Sequence, residues 1–214
     1  MDDQFLLDTP ELRTFIDAVQ DVIRASSSIP ERLAALRPHF SALLADQRWL
    51  PDAFRQPDPD SGMGGGIATW LLYRAAASDL SFFALVVPPG ASTPVHDHLA
   101  WGLVGLYVGE QDEEVYERAS SAAPQRHDQA ALQLVATNHL QAGTFYELIP
   151  PDGDIHRVTT TSALPSVSLH LLGNDTGCVW RHRFDPQSGA VAAFRSGYTN
   201  QPCAETTEAA DAPG

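Results

Sequence analysis

The chain is predicted to be all-β, a sandwich or barrel of short antiparallel strands with a helical extension at its N-terminus. Beyond about residue 68, apolar and β-branched residues come in runs of roughly 4 to 8, mostly separated by Gly, Pro, Asp or Asn. No helical periodicity lies between these runs, so the crossovers that a parallel sheet needs are missing. Ahead of them stand two amphipathic stripes at helical spacing.

The first stripe follows Asp8 and Thr9, with Pro10 in the first turn; Leu12, Phe15, Ile16, Val19, Val22 and Ile23 form one face. In the second, Ser28, Pro30 and Glu31 have the form of a capping box, and Leu33, Leu36, Phe40, Leu43 and Leu44 continue the apolar side. Together they give a helical leader over about 9–47, expected to cover a sheet edge or face. Residues 54–66, FRQPDPDSGMGGG, are a loop within the domain. WLLYR at 70–74 is read as a short strand. Further strands are expected at 82–87, 94–98, 103–108, 114–118, 132–136, 144–148, 156–160, 166–172, 178–184 and 192–195. The β-barrel thus covers about 68–198 of a single domain, 1–198. Residues 199–214 are rich in Ala, Thr, Glu, Asp and Pro and are expected to be a disordered tail.

Composition narrows the function. In 214 residues, 27 acidic side chains face 13 basic ones, a formal net charge of −14, which disfavours nucleic acid and anionic membranes as partners. No run approaches the roughly 20 apolar residues of a membrane span, and the acidic start MDDQFLL is unlike a secretory signal, so a cytoplasmic location is expected. Cys178 and Cys203 form neither a CxxC nor a disulfide framework, and Cys203 is taken as incidental. Any metal should then be held by histidine and oxygen.

The segment TPVHDHLAWGLVGLY, from Thr93 to Tyr107, contains the pair His96 and His98. One residue apart on an extended segment, the two imidazoles share a face and can meet on one ion, while Asp97 points away as an outer or structural residue. A third ligand is supplied by His156 in GTFYELIPPDGDIHRV, where Pro150, Pro151 and Gly153 set a turn before the strand.

Gly90 to Glu110 resembles the first cupin motif, a glycine followed by HxH and a later glycine. Gly143 to His156 resembles the second, a glycine, then PxG at Pro151 and Gly153, then histidine. The resemblance implies a cupin double-stranded β-helix, or jelly-roll barrel. Many cupins add a glutamate ligand shortly after HxH, but Gly102 and Leu103 stand there, so a three-histidine site is implied.

Over about residues 10–195 the chain is similar to bacterial thiol dioxygenases related to cysteine dioxygenase, most specifically in TPVHDHLAWGLVG and SVSLHLLGNDTGCVWRHRF. That family has a Ser-x-His-x-Tyr segment beside its iron; Ser168 and His170 match the first two members and Leu172 replaces the tyrosine. With no cysteine near Gly102, the family's cysteine-to-tyrosine cross-link has no counterpart. Arg181 stands where the 3-mercaptopropionate dioxygenase group carries its carboxylate-binding arginine. Arg74 and then Arg183 rank behind it, and Tyr73, Trp101 and Tyr146 are candidate pocket walls. The resemblance implies Fe(II) as cofactor and a small thiol carboxylate (3-mercaptopropionate, cysteine or mercaptosuccinate) oxidised with O2 to its sulfinate. A cupin metalloenzyme of another class (carbon–carbon-cleaving dioxygenase, isomerase or lyase) and a non-catalytic metal-binding cupin are the alternatives. Homo-oligomerisation is left open.

Overall fold

The computed structural model describes residues 2–61, 63–77, 79–119 and 128–204. The short strand β1 (Gln4–Phe5) precedes two helices, α1 (Pro10–Ala25) and α2 (Ile29–Ala45). The hydroxyls of Thr9 and Ser28 cap them by accepting the amides of Leu12 and Glu31, as the sequence predicts. A single 3-10 turn at Asp52–Arg55 leads into the barrel.

The barrel strands are β2 (Ala68–Arg74), β3 (Ser81–Val87), β4 (Val95–His96), β5 (Gly102–Val108), β6 (Glu110–Arg118), β7 (Leu132–Gln141), β8 (Phe145–Leu148), β9 (Ile155–Thr160), β10 (Ser166–Leu172), β11 (Arg181–Phe184) and β12 (Val191–Phe194). Antiparallel pairs join β6 to β7, β5 to β8, β4 to β9 and β3 to β10. This is one long hairpin, closed at β6–β7, whose paired arms pass alternately between two sheets. The sheets have the orders β1-β2-β3-β10-β5-β8 and β12-β11-β4-β9-β6-β7. The chain therefore has the all-β cupin double-stranded β-helix fold with N-terminal helices.

Two cores place the site. Leu12, Phe15, Ile16, Val19, Leu33, Leu36 and Phe40 pack on Phe82, Ala84, Leu169 and Leu171, so the helices cover the outer face of the first sheet. Leu71, Phe83, Leu85, Val104 and Leu172 form a second cluster, on the face of that sheet turned inward. Because both its faces are covered, β10 is buried along its whole length: Val167, Leu169 and Leu171 join the helical core, and Ser168, His170 and Leu172 are left to the interior.

Two glycines of β5 permit close packing. A Cβ at Gly105 would lie 2.5 Å from Leu44 Cδ1 and 2.7 Å from Phe40 Cε1, so its absence seats α2 on the sheet. A Cβ at Gly102 would lie 2.2 Å from the Leu171 carbonyl oxygen, so no side chain fits there, glutamate included.

Two expectations for the C-terminus are corrected. Cys178 and Cys203 form a disulfide across 25 residues. Residues 199–204 are also not a free tail: the Thr199 amide donates to Thr69 O at 2.8 Å, and Asn200 accepts from the Leu71 amide and donates to its carbonyl, each at 2.9 Å. The remainder of the expected tail, 205–214, lies outside the described residues. No helix among the described residues is long and apolar enough to cross a membrane.

For a closed loop of this length the chain-entropy model gives about 3.5 kcal/mol. Reduction, or Cys203→Ser, is accordingly expected to lower the thermal midpoint by several degrees in scanning calorimetry. An unchanged midpoint would mean that Thr199 and Asn200 hold the segment unaided.

Candidate metal centre

His96 and His156 sit directly opposite each other on β4 and β9. His98 follows β4 where the strand breaks off, and the next residue, Leu99, has φ of 54°, a conformation costly for a branched side chain. Asp154 holds that turn, its carboxylate oxygens accepting the amides of His98 and Leu99, both at 3.0 Å. The three rings form a near-equilateral triangle with centroid separations of 4.9, 5.0 and 4.8 Å. Their ligand atoms all lie within 4.8 Å of one another, and all three residues are buried.

The donor set fits a divalent transition metal. Each Nδ1 meets an oxygen: Pro94 O for His96 at 2.9 Å, Asp154 O for His98 at 3.3 Å and Glu113 Oε1 for His156 at 2.8 Å. These acceptors assign the imidazole proton to Nδ1, which frees the Nε2 lone pair for a metal. Burial, with the Arg181 charge and the neighbouring imidazoles, pushes the His96 pKa well below its ordinary value. Burial also lowers that of His98, although Asp154 opposes it. Both rings are therefore neutral, as ligands must be.

The surroundings are fixed by hydrogen bonds. Asp97 is engaged by β11: its carboxylate accepts the His182 amide at 2.8 Å and Nδ1 at 2.7 Å, and its carbonyl accepts Arg181 Nη1 at 2.7 Å. It thereby ties the end of β4 to β11. Ser168 Oγ and His170 Nε2 are 2.9 Å apart, as their shared strand face predicts. His170 stacks on Phe83, its partner across the β3–β10 ladder, at 4.7 Å and 13°. Its Nδ1 is buried without a hydrogen-bond partner among the described residues. Burial first, then the neighbouring His98, His156 and Arg181, pushes the His170 pKa well below its ordinary value.

Arg181 is 5% exposed, and burial lowers its pKa to about 10, so it remains charged at neutral pH. Its other donors reach Thr176 O at 3.3 Å and Ser196 Oγ at 3.0 Å. No carboxylate among the described residues forms an ion pair with it. Arg181, His96, His98 and His170 line one cavity of about 20 Å³, walled by Phe83, Leu85 and Met63. A larger cavity of about 400 Å³, beside Tyr116, Arg118 and Pro150, contains none of the three histidines.

Other expected pocket residues lie elsewhere. Between Leu71 and Tyr73 the β2–β3 register shifts, and this bulge reverses the alternation. Leu71 consequently joins the interior cluster while Tyr73 joins the helical core, its hydroxyl donating to Asp3 at 2.7 Å. Arg74 pairs with Asp175 at 3.1 Å and bonds Gln4 Oε1 at 2.7 Å. Trp101 packs at the helical core under the Arg32 guanidinium, 4.7 Å away. Arg183 is exposed. Tyr146 instead reaches the back of the metal centre, its hydroxyl 3.3 Å from His156 Nδ1.

Sequence reading missed Glu113, Asp154 and Ser196. Alternation along EQDEEVYER would have turned Glu113 inward with Gln111, but nothing marks which face of that acidic strand is buried.

No family model matches the chain. Among solved structures, an oxalate oxidase aligns with a TM-score of 0.43 at 13% identity, over 61% of this chain and 61% of its own. Peruvianin-I, a cysteine peptidase from Thevetia peruviana latex, aligns with a TM-score of 0.41 at 19% identity, over 61% of this chain and 74% of its own. A Klebsiella pneumoniae protein with a double-stranded β-helix domain gives 0.40 at 15% identity, over 60% and 85%. The cupin fold stands on the strand pairing itself.

Proposed function

We propose that the protein is a non-haem Fe(II) thiol dioxygenase that converts a small thiol carboxylate to its sulfinate, RSH + O2 → RSO2H. The observation that carries this reading is Arg181, a buried guanidinium without an ion-paired carboxylate among the described residues, in one cavity with two of three clustered histidines.

His96, His98 and His156 would hold Fe(II), which when bound supplies the redox chemistry for adding dioxygen to sulfur. Arg181 receives the substrate carboxylate through guanidinium donors and fixes where the thiol lies. Neutral His170, held by Ser168 and flattened against Phe83, offers a polar nitrogen to the substrate or a bound water. Phe83, Leu85 and Met63 keep bulk water from the reacting sulfur. The cavity has room for little more than one water, so a substrate enters only as its walls part.

The test is oxygen consumption by the Fe(II)-loaded protein with 3-mercaptopropionate, cysteine or mercaptosuccinate, with metal content measured on the same sample. One O2 consumed per sulfinate formed is expected. A fully loaded protein that consumes no oxygen with any small thiol would sink the reading.

A further inference from the structure

We propose that Glu113 is a positioning residue of the metal centre. Its carboxylate accepts the Nδ1 proton of His156 and restores, one bond further out, the negative charge that Gly102 keeps from contacting the metal. The proposal rests on the three-histidine metal reading.

Glu113 lies in β6, two residues before Val115, the partner of His156 across the β6–β9 ladder. It is 3% exposed. Burying a carboxylate is costly unless its oxygens are fully bonded. Here Oε1 accepts from His156 Nδ1 at 2.8 Å and Oε2 from Asn138 Nδ2 at 3.0 Å, with the Tyr146 hydroxyl as a further donor.

The other two ligands are supported differently. His96 Nδ1 meets only a backbone carbonyl. Asp154 lies 3.3 Å from His98 Nδ1 through both its carbonyl and its carboxylate, and it uses the carboxylate on two amides. Glu113 thus makes the shortest Nδ1 contact of the three and the one in which a carboxylate is clearly the acceptor. A charge-assisted bond there raises the basicity of Nε2 and fixes the plane of the ring. At Gly102 a glutamate ligand is sterically excluded, and Glu113 supplies a negative charge from behind His156 instead.

Metal affinity is measured with full-length protein by chelator competition, using Zn(II) in air and Fe(II) under anaerobic conditions, without thiol. Glu113→Gln keeps an acceptor oxygen and the shape but removes the charge. It is expected to bind either metal 10–100-fold more weakly, with the melting of the metal-free protein changed little. Asn138→Ala, at an exposed position, keeps the charge but loosens the carboxylate and is expected to weaken binding several-fold. Wild-type affinity in a folded E113Q protein overturns the proposal. Should E113Q not fold, unchanged affinity in N138A overturns it. Wild-type protein that binds neither metal overturns both this role and the dioxygenase reading. Weakened binding in E113Q, together with no thiol-dependent oxygen uptake by wild type, overturns the dioxygenase reading alone.

Discussion

Replacing His156 by alanine is expected to abolish stable metal binding and, with it, all thiol-dependent oxygen consumption, while the protein stays folded. Three imidazoles are the whole ligand set that the described residues bring together. Even groups one bond behind a ligand are worth roughly 10–100-fold in metal affinity, so loss of a ligand should cost more than about 100-fold. The variant also leaves the Glu113 carboxylate buried without its closest partner, which costs on the order of 1–3 kcal/mol of stability. Chelator competition and metal analysis of the purified protein report the first effect, and thermal unfolding of the metal-free protein reports the second. A His156→Ala protein that retains metal at wild-type stoichiometry would show that the histidine triangle is not the centre. Such an outcome would leave His96 and His98 as buried rings held by the backbone carbonyls of Pro94 and Asp154.

What the sequence makes legible here follows from how local the signal is. Helix α1 and helix α2 are readable because a capping hydroxyl and an early proline announce each start, and because a solvent-facing helix must keep one apolar stripe. The HxH pair is readable because its two rings do meet on one side, although only His96 lies within β4, and His156 because Pro150, Pro151 and Gly153 mark the turn before β9. The discrepancies arise where a distant residue decides. Strand β4 ends at His96 rather than continuing through residue 98, because Asp154, more than fifty residues away, takes the amides of His98 and Leu99. Strand β11 starts at Arg181 rather than 178, because the amides of Cys178 and Val179 turn back to Asp175 O. Strand β7 runs on to Gln141 through polar, exposed residues that lack an apolar face to mark it. Tyr73 was turned by a one-residue bulge, and Cys203 found its partner across a gap with no signature spacing. Glu113 and Asp154 are acids in a chain of acids, and only burial distinguishes them.

Arg181→Ala is expected to raise KM for a thiol carboxylate by roughly 30-fold or more, since truncating one side of a buried charge-assisted pair costs about 2–5 kcal/mol. The same substitution should change KM little for a thiol without a carboxylate. The reasoning starts from cost. A guanidinium at 5% exposure has lost most of its hydration, and three hydrogen bonds to neutral oxygens only partly replace it. The charge nevertheless persists, with a pKa of about 10, so the protein retains a buried cation that a bound carboxylate would stabilise. Its Nη1 is anchored by the carbonyl of Asp97, the residue between the two histidines, so the position of the cation is tied directly to the metal ligands. Losing those anchors could loosen the site for every substrate, and the comparison between thiols separates that general effect from carboxylate recognition. Arg181→Lys should recover part of the loss, because it keeps the charge without the fork. Equal KM increases for both kinds of thiol would reject the carboxylate role and leave Arg181 as a brace between β4 and β11.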